Sequence, residues 1–165
     1  MKNLFALSLL AFAFAPGLAR AGTFPIPGEN PVATVSIPDK WESSAYDGGI
    51  ESTSPDGTIY VALEMVAAKD VKTATEEGVE WFAKQGVQID PGSLKTKDTK
   101  INGLDAFDMQ FTGKDKDGAA NISLTLVATN AADKFLMLYF WGSDAGVMAN
   151  LADLKAISDS IQATK

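Results

Sequence analysis

Asp115, Asp117 and Gly118, in the stretch FTGKDKDGAA (111–120), have the spacing with which a calcium loop begins. Alternate acids put carboxylate oxygens on one side of a tight loop, and the glycine lets it turn. A loop of the EF-hand type also needs an oxygen ligand two residues after Asp117 and a glutamate at its twelfth position. This chain has Ala119 and Leu126 there, and Lys114 and Lys116 offset the charge that a cation requires. The stretch reads as a solvated hairpin turn, and no metal ligand is assigned. Glu76 and Glu80 stand four apart, the helical spacing of paired carboxylates for metal or acid–base work. No third ligand accompanies them, so they read as a solvated helix face. Asp105 and Asp108 fall on opposite faces of a strand and cannot act as a pair.

The residue types that are missing remove more chemistry than these remove. The chain has no His and no Cys, and its single arginine is Arg20. A Ser-His-Asp triad, a cysteine nucleophile and a zinc site of Cys and His are impossible. The bidentate arginine clamp for phosphate is missing as well. Lys, Asp, Glu, Tyr, Ser and Thr remain, the set with which carboxylate-pair glycosidases work. The balance points to a protein that is not an enzyme, with no catalytic residue and no cofactor. Trp41, Tyr46, Tyr60 and Trp81 stand near loops, where aromatics anchor interfaces or close one end of a core. The sequence favours the core for Trp41, Tyr46 and Tyr60, leaves Trp81 open, and assigns Tyr139 and Trp141 to the core. It names no binding residue.

Residues 1–21 form a secretory leader. Lys2 precedes an apolar run from Leu4 to Phe14, Pro16 and Gly17 break it, and Ala19-Arg20-Ala21 has the small-x-small cleavage pattern. Cleavage after Ala21 leaves 144 residues and moves the net charge from −7 to −9. An acidic, arginine-free surface suits neither nucleic acid nor anionic lipid. No second run is long enough to cross a bilayer. The expected location is a bacterial periplasm, in a chain stabilised by packing without disulfides.

Residues 22–31, GTFPIPGENP, read as a Gly/Pro-rich tail, and 32–165 as a single domain. Strands are expected at 32–37 and 49–53. After the SPDGT turn, Ile59 to Val66 puts Ile59, Val61, Leu63 and Met65 on one face and Tyr60, Ala62, Glu64 and Val66 on the other. Thr73–Glu76 has the spacing of a capping box for a helix that Gly86 ends. Asn102-Gly103 joins a lysine-rich edge arm, 94–101, to an alternating strand, 104–112. Strands follow at 119–128 and 134–142, the last apolar on both faces. Ser143-Asp144 caps a final helix with a stripe of Val147, Leu151, Leu154 and Ile161, and Ile157 beside it. These elements make an α+β domain with a mainly antiparallel sheet and helices on both faces.

VATVSIPDKWE (32–42) resembles the opening strand and turn of PsbP-like proteins. INGLDAFDMQFTG (101–113) resembles their central hairpin, and ADKFLMLYFWGS with LADLKAISDSIQ their last strand and closing helix. The resemblance covers about residues 32–163 and implies an αβα sandwich. It also implies docking onto partners rather than catalysis, as in an extrinsic photosystem II subunit, a Ran-binding factor and DcrB-like envelope proteins. No catalytic or ligand motif of the family matches positions here, and the lipobox cysteine of DcrB-like members is missing. The expected function is a periplasmic module that binds another envelope protein. The alternatives are a carrier or sensor of a small apolar ligand and a carboxylate-based hydrolase.

Overall fold

The computed structural model describes residues 21–164; the expected leader, up to residue 20, lies outside them. β1 (Ala21–Ile26) pairs antiparallel with β2 (Ala33–Pro38). Residues 22–26 are thus a strand and not a tail. The reason is burial: Phe24 and Ile26 pack among Val35 and Ile37, and Ile26 has no exposed surface. Pro25 is tolerated because β1 is an edge strand.

β3 (Glu42–Tyr46), β4 (Gly49–Thr53) and β5 (Ile59–Ala67) follow, and a short 3₁₀ turn, Ala68–Asp70, leads into α1 (Val71–Lys84). Then come β6 (Gln88–Ile89), β7 (Lys95–Ile101), β8 (Leu104–Asp115), β9 (Gly118–Ala128) and β10 (Lys134–Gly142). α2 (Asp144–Ser160) and β11 (Gln162–Ala163) complete the order. β1, β2 and β11 form a small sheet in the order β1-β2-β11; the large sheet runs β3-β4-β5-β10-β9-β8-β6, with β7 beside β8. The pairings are antiparallel. Among the described residues no helix is long and apolar enough to cross a membrane.

The local chemistry accounts for most joints. Asn102 and Gly103 take positive φ of 46° and 84°, the left-handed pair that a two-residue hairpin requires. β7 pairs only with β8, so its lysines lie on an edge as expected. Ser143 caps α2 by accepting from the Gly146 amide at 3.0 Å. α1 ends with Gly86 N–H donating to the Ala83 carbonyl and Val87 N–H to that of Phe82, both at 3.0 Å, a complete Schellman arrangement. Its start differs from the expectation. The helix begins at Val71, and Thr75 donates to the Val71 carbonyl at 2.8 Å. The Thr73–Glu76 capping box does not form because the preceding 3₁₀ turn feeds straight into the helix.

Alternation along β5 and β10 divides the apolar side chains between two clusters. Ile59, Val61, Leu63 and Leu136 pack with Ile157, Val147 and Leu154 of α2 and with β1 and β2. Ala62, Val66, Met137 and Tyr139 pack with Ala74 and Phe82 of α1. The α2 stripe is narrower than the sequence suggests. Leu151 is 55% exposed, while the helix instead buries Asn150. The Asn150 amide donates to Asp56 Oδ2 at 3.0 Å, tying α2 to the turn before β5.

Asp56 organises that turn. Its Oδ1 accepts from Ser54 Oγ at 2.6 Å, Thr58 Oγ1 at 2.7 Å and Thr58 N at 3.1 Å. The Ser54 and Thr58 bonds hold its carboxyl well below the ordinary carboxylate range. A depressed pKa contributes stability that is complete above the unfolded value, near 3.9, and is lost as pH falls through and below it. Asp56→Ala is expected to cost about 1 kcal/mol at neutral pH and to lower Tm by about 3 °C. The difference from the parent should shrink as pH drops below about 4. Thermal melts at pH 7 and pH 3 check this, and an undiminished gap at pH 3 contradicts it.

Candidate functional site

The register of three strands sets the site. Glu51 pairs with Ala62, Gly49 with Glu64 and Thr53 with Tyr60 across β4 and β5. Tyr139 pairs with Ala62 and Trp141 with Tyr60 across β10 and β5. Tyr46, opposite Gly49, extends the row onto β3. Directly paired residues share a face, so one side of the sheet carries Tyr46, Glu51, Tyr60, Glu64, Tyr139 and Trp141. α1 adds Glu77 and Trp81 from above. Gly78 is the point of closest approach: a Cβ there would stand 2.6 Å from the Tyr139 ring.

These side chains line two joined concavities. The smaller, about 400 Å³, is walled by Tyr46, Tyr60, Trp81 and Tyr139 with Glu51, Glu64 and Glu77. The larger, about 890 Å³, shares Glu51, Tyr60 and Trp81 and continues to Trp141, Asp115 and the turn at Lys116-Asp117. Trp81 stacks on Tyr60 with ring centres 4.8 Å apart and planes 30° from parallel. Trp141 lies 6.4 Å from Tyr60. Tyr46 is 42% exposed and Trp141 only half-buried, so neither is the core residue expected from sequence. Both carry a polar group that seeks an acceptor at the rim. Trp41 does lie in the core, 4% exposed, with its indole N–H on Asp153 Oδ2 at 3.0 Å.

The carboxylates are fixed by phenols. Tyr46 donates to Glu64 Oε2 at 3.2 Å and Tyr139 to Oε1 of the same group. Tyr60 donates to Glu51 Oε2 at 3.1 Å. Desolvation, followed by the charge and hydrogen bond of Glu64, raises the Tyr46 hydroxyl far above its ordinary range. Desolvation and then the bond to and charge of Glu64 do the same for Tyr139; desolvation and Glu51 do so for Tyr60. All three therefore stay protonated donors. Among the described residues, the ion pairs engage none of Glu51, Glu64, Glu77 and Asp115. The small concavity has no cationic residue in its lining.

Of the acids singled out from sequence, Asp115 and Asp117 border the larger concavity, and Glu76, Glu80, Asp105 and Asp108 line neither one. The Asp115–Gly118 stretch is the expected hairpin turn: Asp115 Oδ1 accepts from the amides of Asp117 at 2.8 Å and Gly118 at 3.0 Å. Its Oδ2 accepts from the Trp141 indole at 3.0 Å, so both oxygens serve the fold. Glu76 and Glu80 pair with Lys72 and Lys84 on an exposed helix face, the solvated face that the sequence predicts. Asp105 meets Lys100, while Asp108 accepts from Thr125 on the other side of the strand. Among the described residues, no group of three His, Cys, Asp or Glu is placed to hold a metal ion. Sequence reasoning did not find Glu51, Glu64 or Glu77. The one available signal was Glu64, a charge set among Tyr60, Ala62 and Val66 on a face that otherwise packs. Glu51 and Glu64 line the same concavity, but both Glu64 oxygens already accept from tyrosines, which holds the group in one orientation.

No protein-family model matches the sequence, and no curated protein is similar to it in sequence. Solved structures are similar in shape. A protein of Bacteroides thetaiotaomicron superposes with TM-score 0.55 at 15% identity over 87% of this chain, which spans about half (48%) of that protein. LpqN of Mycobacterium tuberculosis, described as involved in cell envelope biogenesis, gives 0.52 at 14% identity over 88% of this chain and 92% of its own. The cyanobacterial PsbP of Synechocystis gives 0.53 at 11% identity over 96% and 99%. Superposition over nearly the whole of LpqN and the cyanobacterial PsbP, at identities this low, establishes likeness of fold: this chain has the PsbP-like fold that its strand and hairpin sequences resemble.

Proposed function

We propose that this protein is an exported, non-enzymatic periplasmic module that binds another envelope protein through the acidic aromatic cleft. The fold reading that goes with it is an αβα sandwich. α1 packs on the even-numbered face of β5 and α2 on the odd-numbered face, as the two apolar clusters support. The leader at 1–21 supports export, and cleavage after Ala21 leaves Gly22–Ile26 available to β1. The envelope role of LpqN, a protein of the same fold, agrees with that location.

The observation that carries the reading is the cleft itself. Half-exposed aromatics beside unpaired carboxylates form the composition of an interaction hot spot rather than of a closed core. The alternative, a carrier of a small apolar ligand, draws on a different concavity of about 750 Å³. Leu94, Phe111, Phe140, Val147 and Met148 contribute its apolar lining, between α2 and β7–β9.

A photo-crosslinking residue at position 46, with a control at the exposed Lys97, separates the two in the native host. The interaction reading expects a light-dependent adduct with one envelope protein from position 46 and none from 97. Native mass spectrometry showing a bound molecule of a few hundred daltons, with no adduct from position 46, would replace it with the carrier reading.

A further inference from the structure

We infer that the 400 Å³ concavity is a receptor for an alkylammonium group, the end of a lysine side chain on the partner. This deepens the interaction reading and rests on it. Tyr46, Tyr60, Trp81 and Tyr139 present aromatic surface to one small space, and the Tyr60–Trp81 stack makes one wall rigid. The face of an aromatic ring attracts a cation, most strongly when water is displaced.

The second element is charge without compensation. Glu51, Glu64 and Glu77 reach the same space from β4, β5 and α1, three separate elements, and no lysine is within ion-pair distance of any of them among the described residues. Among the described residues six acids do have a lysine partner, among them Glu76 with Lys72 (3.1 Å), Glu80 with Lys84 (3.3 Å) and Asp159 with Lys155 (2.5 Å); those of the small concavity have none. Inside the cleft the donors are neutral phenols, which fix the direction of Glu51 and Glu64 without cancelling their charge. A cation entering the space would meet carboxylate charge that no lysine of the described residues has taken up. A slim alkyl stem with a compact ammonium head enters such a space with room to spare, and the stem would lie along the Trp81–Tyr60 wall.

The chain supplies its own reporters. Its three tryptophans are Trp41, Trp81 and Trp141. Trp81 lines the small concavity, Trp141 lines its extension, and Trp41 is buried against Asp153. Indole N–H signals in a nitrogen-correlated NMR spectrum would be followed while the folded protein is titrated with Nα-acetyl-lysine methylamide. Parallel titrations would use its Nε-acetylated form, tetramethylammonium chloride and sodium chloride. The expected result is a saturable shift of the Trp81 signal with the lysine probe and an unmoved Trp41 signal. The Nε-acetylated probe should bind at least about tenfold more weakly. Glu64→Gln should weaken the lysine probe by a similar factor. Glu77→Gln, on the exposed side of α1, should do so too, and it keeps the test valid if Glu64→Gln unfolds the protein.

A linear response matched by sodium chloride would overturn the site, as would equal affinity for the acetylated probe. Tighter binding of tetramethylammonium than of the lysine probe would overturn the assignment to a side chain and point to a free quaternary ammonium compound. Crosslinking from position 46 without any Trp81 shift would sink this site and leave the interaction reading standing. The shift without crosslinking would do the reverse.

Discussion

Phe82→Ala is expected to destabilise the protein by about 3–5 kcal/mol. Phe82 has no exposed surface, although α1 is otherwise open to solvent along most of its length. The helix buries fully only Ala74, Gly78 and Phe82, so this ring is its single large anchor. It meets Trp81 edge-on at 5.4 Å and Tyr139 at 6.4 Å, and shares a cluster with Ala62, Leu124 and Met137. Removing it leaves a cavity under the last turn of the helix. At about 3 °C per kcal/mol the fall in Tm is roughly 10 °C. Urea unfolding should show a lower midpoint with an unchanged slope. A loss below about 1 kcal/mol would mean that α1 does not depend on this contact. Trp81 and Gly78 ride on the same helix, so the cleft should loosen along with the fold.

Gly49→Ala is expected to be of similar severity for a different reason. A Cβ at Gly49 would stand 1.8 Å from the Leu63 carbonyl oxygen and 2.8 Å from the Glu64 Cα. Both obstacles are main chain in the neighbouring strand, so no side-chain rotation relieves them. β4 must shift from β5, at a cost of about 3 kcal/mol from overpacking alone. The displacement falls where Glu51 and Glu64 are brought side by side. Loss of stability should therefore be accompanied by loss of the Trp81 response to the lysine probe. Lys97→Ala, on the exposed edge strand β7, would retain both. A Gly49→Ala protein with parental stability would show that β4 and β5 do not approach as described.

Much of this fold is written in short-range patterns. The turns at Ser54–Thr58, Asn102-Gly103 and Lys116-Asp117 stand where proline, glycine and aspartate dictate. The division of β5 and β10 between the two apolar clusters follows from alternation, because successive side chains point to opposite faces. Four strands were not legible: β6 and β11 are only two residues long, and β1 and β3 escaped for opposite reasons. β3, Glu42–Tyr46, is exposed throughout and has no apolar rhythm; it is held by main-chain pairing to β4 and by a Ser43–Ser52 hydrogen bond of 2.8 Å. β1 is hidden by its prolines, which mark loops in general and edges in particular cases. The cleft was illegible because it depends on strand order. β10 inserts between β5 and β9, and no local pattern announces that crossover. Glu51, Glu64 and Glu77 belong to three elements, and their convergence is a property of the assembled sheet.

The small sheet also constrains how fast the molecule can form. β2 is flanked by β1 on one side and by β11 on the other, and Thr164 donates through its hydroxyl to the Pro31 carbonyl, 133 positions away. Ser160 holds the Ser36 amide at 2.8 Å across 124 positions. Such contacts become available only after nearly the whole intervening chain has been drawn together. Their loop-closure entropy is met before any of their stabilisation is gained. High contact order of this kind slows folding. The seam between the two ends of the chain should accordingly close late, after the hairpins of the large sheet have formed, and be the first region to admit deuterium in the native state.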